Sequence, residues 1–214
     1  QSELEMKNLN DRFPEMGLIK KDRFLMFDSS MKCFTGSSLK TCKIWLFNDC
    51  VMVSIPEDAK PILFPIKNIM AKHVDVPSPY ENGADFLTSI DSFRVIFESA
   101  KRKEAFIETC SNIRIDHDMD EQTNIDEPLA PIWTFSVDVI DCMLCGRGFG
   151  LVTKSIHCDF CRKCFCKKCV TSITIGENKF HICKTCKQNG YGSKALPHMI
   201  IDYTKSGVFE VENL

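Results

Sequence analysis

Four pairs of cysteines, each pair separated by two residues, follow one another in the second half of the chain: Cys142/Cys145, Cys158/Cys161, Cys166/Cys169 and Cys183/Cys186. A C-x-x-C turn lets two sulfurs converge on one ion, and eight thiolates are enough for two closed tetrahedral zinc sites. All-thiolate sites of this kind are structural, because no coordination position is left for a water. A disulfide scaffold needs an oxidising compartment, and nothing in the sequence points to export. An iron–sulfur cluster takes four cysteines and leaves the other four without a role. About 60 residues with few large aliphatics cannot hold a fold by burial alone, so metal must supply much of the folding free energy here. Two zinc ions are therefore the expected cofactors.

The other half has different chemistry. Of 13 cysteines, nine lie between Cys142 and Cys186, and Cys33, Cys42, Cys50 and Cys110 are scattered upstream. Between the halves, residues 115–131 carry Asp116, Asp118, Asp120, Glu121, Asp126 and Glu127 with no Lys or Arg, and end in Pro128 and Pro131. Such a stretch buries little apolar surface and reads as a solvated linker. A calcium loop starting at Asp116 fails, because Glu121 stands where the sharp turn requires glycine. Pro128-Leu129-Ala130-Pro131 is a PxxP without a flanking basic residue, a weak ligand for a Src-homology-3-type partner and more simply a rigid spacer.

Charge narrows the partners. The net charge of -2 removes the case for a dedicated nucleic-acid binder, whose affinity comes from clustered Lys and Arg. Residues 132–190 hold nine basic and four acidic groups, but eight thiolates with two divalent ions bring that excess to about +1. No apolar run approaches the ~20 residues needed to span a bilayer, and no signal peptide is visible, so the expected location is cytoplasmic, with peripheral attachment to membrane or cytoskeleton.

From Trp133 to Cys186 the sequence resembles the FYVE zinc-finger family. Trp133 precedes Cys142 by nine residues, Phe149 follows Cys145, His157 precedes Cys158, and Cys158-x-x-Cys161-x-x-x-Phe165-Cys166-x-x-Cys169 has the family spacing. The resemblance implies a cross-brace, with Cys142, Cys145, Cys166 and Cys169 on one zinc and Cys158, Cys161, Cys183 and Cys186 on the other. Cys164 stands at a usually apolar position and reads as a small hydrophobe, not a ligand. The family binds phosphatidylinositol 3-phosphate through Trp-x-x-Asp, a basic Arg-Arg/Lys-His-His-Cys-Arg core and Arg-Val-Cys, and here all three are eroded. Ser136 replaces the acid, the core reads Lys154-Ser155-Ile156-His157-Cys158-Asp159, and His181-Ile182-Cys183 stands for the third motif. Arg162 replaces a glycine. Asp159 opposes a phosphate by like-charge repulsion, so the lipid pocket is expected to be lost, with Lys154, His157 and His181 the remaining donors. Leu151 and Val152 occupy the place of the family's membrane-inserting tip.

Upstream, seven runs read as strands: 24–34, 39–47, 50–55, 62–69, 71–76, 86–90 and 93–98, with Asn48-Asp49 a good hairpin turn. Phe106, Cys110 and Ile113 then give one apolar stripe on a helix over 100–113. Seven strands and a helix resemble a pleckstrin-homology (PH) domain, most strongly at Lys43-Ile44-Trp45-Leu46-Phe47-Asn48-Asp49-Cys50, which is similar to a hairpin of PH domains from Rho-family exchange factors; Phe106 stands where the family carries tryptophan. Lipid-binding members place basic residues where Lys32 and Lys43 stand, but Thr41 takes the third position, Lys40 falls on the opposite face, and residues 14–113 balance 13 basic against 13 acidic groups. Gly17 to Leu25 resembles the junction that follows a Dbl-homology (DH) exchange domain.

The expected fold class is α+β: a seven-stranded PH β-barrel or sandwich with a C-terminal helix, plus a small cross-brace two-zinc FYVE-type finger. The expected boundaries are 1–22 as the end of a DH domain and its linker, 23–114 PH, 115–131 acidic linker, 132–187 finger and 188–214 an extension with short strands at 199–203 and 207–211. The architecture resembles exchange factors of the faciogenital-dysplasia type and implies a non-catalytic, protein-interacting regulatory region linked to actin and membrane traffic. Its Rho-family GTPase would be engaged through the missing DH domain, and cytoskeletal proteins are further expected partners. A phosphoinositide-dependent membrane adaptor is the alternative. A RING-type ubiquitin ligase fits less well, since that family normally has a histidine in its central ligand set.

Overall fold

The computed structural model describes residues 2–35, 38–66, 69–75, 81–116, 129–135, 138–201 and 207–208. Pro128, Ser136 and most of the acidic linker therefore lie outside the described residues, as do 202–206 and 209–214.

The first half is built on one large sheet. Its strands are β1 (Leu25–Phe34), β2 (Leu39–Phe47), β3 (Cys50–Ser54), β4 (Ile62–Pro65), β5 (Ile69–His73), β6 (Gly83–Thr88) and β7 (Phe93–Ile96), flanked by the helices α1 (Ser2–Arg12) and α2 (Ala100–Asp116). Among the described residues the strand order is β12-β4-β3-β2-β1-β7-β6-β5, where β12 (Gly207–Val208) comes from the C-terminal tail and is the one parallel neighbour. On β1 the period of two sends Met31 and Cys33 inward and leaves Lys32 exposed. The helix α2 plugs the core with Phe106, Cys110 and Ile113. The Phe106 ring lies 5.3 Å from that of Phe27 and 5.2 Å from those of Phe86 and Phe97. On the other face, Met6, Phe13, Met16 and Leu18 cover Trp45, Phe47, Met52 and Leu63. Strand β3 is therefore buried on both sides, which is why Cys50 to Val53 is apolar without alternation.

Three sequence expectations need correction. The run 62–69 is not one strand: Pro65, with no N–H to extend the ladder, ends β4, and Ile69 opens β5 at the far edge of the sheet. The run 86–90 is shifted, because the Thr88 hydroxyl accepts the N–H groups of Ile90 (3.2 Å) and Asp91 (3.1 Å) and turns the chain after β6. Met199 and Ile200 lie in a helical turn, α4 (Pro197–Ile200), not a strand, since Pro197 presets the backbone for a first helical position.

The cysteine-rich half contains the ribbons β8 (Ser155–His157) with β9 (Cys164–Cys166) and β10 (Val170–Ile175) with β11 (Asn178–Cys183), followed by α3 (Lys184–Gln188). Phe160, Phe165, Val170, Phe180 and Ile182 form its small core among the cysteines. The chain after α3 folds back over this core. At Gly192 (φ +110°) a Cβ would sit 3.2 Å from the Cδ1 atoms of Ile173 and Ile182, so only glycine allows the close pass. Leu196, Met199 and Ile200 then pack on the cysteine-rich core, and Ile201 packs on the core of the sheet. Among the described residues no helix is long and apolar enough to cross a membrane.

Candidate metal centres

Each C-x-x-C turn brings its own two sulfurs together, and the ribbons bring the turns together in alternate pairs. Cys142, Cys145, Cys166 and Cys169 form one group, and Cys158, Cys161, Cys183 and Cys186 the other, with all sulfurs of a group within 4.8 Å of one another. A tetrahedron with metal–sulfur bonds of about 2.3 Å has edges of about 3.8 Å. The Cys145–Cys166 and Cys161–Cys183 sulfurs stand 3.7 Å and 4.0 Å apart, so both groups fit a tetrahedral thiophilic cation such as zinc. Each group can hold one metal ion.

The backbone prepares the sulfurs for that role. Burial pushes the Cys142 thiol up, but the N–H groups of Cys166, Cys145 and Leu144 outweigh it and bring the thiol down to about 6. Cys158 falls to about 5, chiefly through the thiol hydrogen bond from Cys161, against desolvation and with help from the N–H groups of Cys183, Cys161 and Phe160. Burial, reinforced by these neighbouring sulfurs, pushes Cys169 and Cys186 up to about 12. Cys142 and Cys158 are thus ready thiolates, one in each group, and an arriving cation draws the protons off Cys169 and Cys186. Cys164 belongs to neither group: it is buried, with Sγ 3.2 Å from His157 Nε2.

The residues resembling a lipid pocket are differently employed. The His157 ring is held by the Thr134 carbonyl at 2.9 Å and stands edge-on to Trp133, while Ile156 packs on the core. Asp159 Oδ2 accepts the His181 N–H at 2.5 Å and lies 3.9 Å from its imidazole, and burial pushes this carboxyl up. Lys154 is exposed and Ser155 half-buried, and Leu151 and Val152 are 102% and 98% exposed. In the sheet, Lys43 is paired with Asp28 at 2.6 Å. Lys32 and Thr41 border a cavity of about 340 Å³ that Glu57 and Glu98 also line, a poor field for a phosphate.

One residue of this region was visible in the sequence only as a departure from glycine. Arg162 keeps a left-handed backbone (φ 56°), is buried, and directs its guanidinium out of the second cysteine group into the junction with the sheet. It meets Asp91 Oδ1 at 2.6 Å, and donates to the carbonyls of Ser92 (3.2 Å), Pro131 (2.9 Å) and His198 (3.2 Å). The Trp133 ring lies 4.7 Å below it. The partners come from three separate stretches of chain, at residues 91–92, 131–133 and 198, so no local pattern discloses them.

No protein-family model and no curated protein matches the sequence. Two solved structures are similar to it at 9% identity, both of DH/PH domains of p115-RhoGEF: a mutant form, with a TM-score of 0.39 over 51% of this chain and 40% of that one, and an N-terminally truncated linker-DH/PH form, with 0.38 over 52% and 36%. The chain thus spans 40% or less of the length of either.

Proposed function

We propose that the chain is the PH-FYVE portion of a Rho-family guanine nucleotide exchange factor. On this reading the sheet with α2 is the PH module and the cysteine-rich lobe is a FYVE-type finger that holds two zinc ions. The observation that carries it is the interleaving of the cysteine pairs, first with third and second with fourth, at tetrahedral spacing. Zinc supplies the folding free energy that so small a core lacks. The residues of this chain then act as a rigid, non-catalytic platform for protein partners and for control of an exchange domain, in actin and membrane traffic. Elemental analysis of the purified chain tests the metal reading, with two zinc ions per chain expected and one or none excluding the cross-brace. Joining the chain to a DH domain and following release of labelled GDP tests the regulatory reading. The chain alone should leave release unchanged, and the joined protein should differ from the DH domain by itself.

The full exposure of Leu151 and Val152 favours a second reading, a membrane adaptor that inserts these side chains. Vesicle flotation separates the two.

A further inference from the structure

The knuckle that closes the second cysteine group also reaches the sheet. Cys158 and Cys161 flank Asp159 and Phe160, and Arg162 follows immediately. The knuckle is set by the hydrogen bond from Arg162 N to the Cys158 carbonyl, 2.7 Å, and the Arg162 carbonyl in turn accepts the Thr134 N–H at 3.0 Å. The Arg162 and Asp91 side chains, 2% and 3% exposed, are buried against each other at the junction. A buried charge pair of this kind stands only while both partners are held in place. Asp91 sits on the tight β6–β7 turn, where its Oδ1 also accepts the Ser92 N–H at 2.8 Å. The same turn holds the chain entering the cysteine-rich lobe, through the Ala130 N–H donating to the Thr88 carbonyl at 2.8 Å. On the outer side, α4 closes the junction, with the His198 ring on the Asp159 carbonyl at 3.1 Å.

We propose that Arg162 is a positioning residue that links the second metal site to the docking of the two lobes, so that metal held by Cys158, Cys161, Cys183 and Cys186 closes the junction on Asp91 and the closed junction in turn tightens that site. This rests on the zinc reading above. The physical basis is linkage: if ordering the knuckle favours the docked junction, docking favours the ordered knuckle by the same factor. The first group, Cys142, Cys145, Cys166 and Cys169, does not include the knuckle that carries Arg162, so the coupling is specific to the second.

Two variants of the full chain test it. Asp91→Asn keeps the acceptor for Ser92 N–H but removes the charge, and it lies on the β6–β7 turn, outside the cysteine-rich lobe. Arg162→Gly suits the left-handed backbone and removes the guanidinium. Both are compared with wild type by chelator competition for bound zinc and by hydrogen exchange at the Ala130 and Thr134 amides. Loss of Cys145 identifies the first-site phase. The expected result is that both variants still bind two zinc ions, that retention at the second site weakens ten-fold or more while the first is unchanged, and that Ala130 and Thr134 lose protection. Chelation of wild type should release the same two amides. If Arg162→Gly tightens the second site, relief of the left-handed strain is all that the residue controls, and the proposal is overturned. It is also overturned if exchange at these amides is unaffected by chelation or if Asp91→Asn leaves the second site unchanged. Wild type that binds no zinc defeats the metal reading itself, whereas two firmly bound ions with lobes that undock independently defeat only the link.

Discussion

The imidazole of His198 donates from Nε2 to the backbone carbonyl of Asp159, 3.1 Å away, and so ties the C-terminal helical turn to the knuckle of the second cysteine group. Burial, and after it the Arg162 guanidinium, push this histidine down to about 4, with the Asp91 carboxylate pulling weakly the other way. The Asp159 backbone oxygen, which accepts from the ring, also pulls the value upward.

That depression makes docking of the tail sensitive to acid. An undocked histidine titrates near 6.5, so between about pH 6.5 and 4 the undocked state takes up a proton that the docked state refuses. The histidine's contribution is complete above pH 6.5 and is lost as the pH falls toward 4, by at most about 3 kcal/mol. Acid also strips thiolates of metal, so the comparison must be with His198→Gln, which keeps a donor for Asp159 but does not titrate. Thermal denaturation from pH 7.5 to 5 should show a steeper loss in wild type. Identical slopes in the two proteins would remove His198 from the account.

Cys164 and Cys158 differ in role though both are buried. Cys158→Ser should drop the zinc content from two to one and destabilise the cysteine-rich lobe. Cys164→Ala should keep both ions and cost about 1 kcal/mol, the loss of a small buried group. Elemental analysis with thermal denaturation checks both. A lost ion in Cys164→Ala would place that sulfur in a coordination shell.

Phe106 carries the plug of the sheet. Its ring touches those of Phe27, Phe86 and Phe97, so Phe106→Ala should cost about 3 to 5 kcal/mol and lower the melting temperature of the sheet lobe while zinc content stays at two. Phe106→Trp adds volume to a filled site and should cost about 1 to 3 kcal/mol. A neutral alanine variant would show that α2 is not what closes the core.

These sites were not equally legible in the sequence. The β2–β3 hairpin was readable because its turn, Asn48-Asp49, and its strands are consecutive, and the Phe106, Cys110 and Ile113 stripe was readable because helical spacing is local. Each C-x-x-C pair is likewise a local turn. Which pair joins which is a long-range matter, and the sequence carried it only through a resemblance. Arg162 shows the limit: its partner Asp91 lies in the other half of the chain, and a buried ion pair leaves no periodic trace. The tail departs from its strand-like sequence for a similar reason. Met199 and Ile200 look like β-formers, but Pro197 and the packing surfaces of two lobes decide their conformation.

Lipid recognition gives the last prediction. Where the resemblance places an arginine, Asp159 changes the local charge by two, and at ~5 Å with an effective dielectric near 20 each unit is worth up to ~3 kcal/mol before screening. Donors missing at Ser155 and Ile156 remove a further ~1.5 to 3 kcal/mol for each charge-assisted hydrogen bond. Together these exceed the ~4 to 5 kcal/mol that separates micromolar binding from binding too weak to measure. The unmodified chain should therefore ignore vesicles bearing phosphatidylinositol 3-phosphate. The joint variant Ser136→Asp, Ser155→Arg, Ile156→His and Asp159→Arg should acquire measurable binding, provided elemental analysis still finds two zinc ions. That control matters, because Asp159 accepts the His181 N–H and its loss loosens the approach of β11 to the second cysteine group. Headgroup-specific flotation of the unmodified chain would show instead that Lys154, His157 and His181 suffice, and would promote the membrane-adaptor reading.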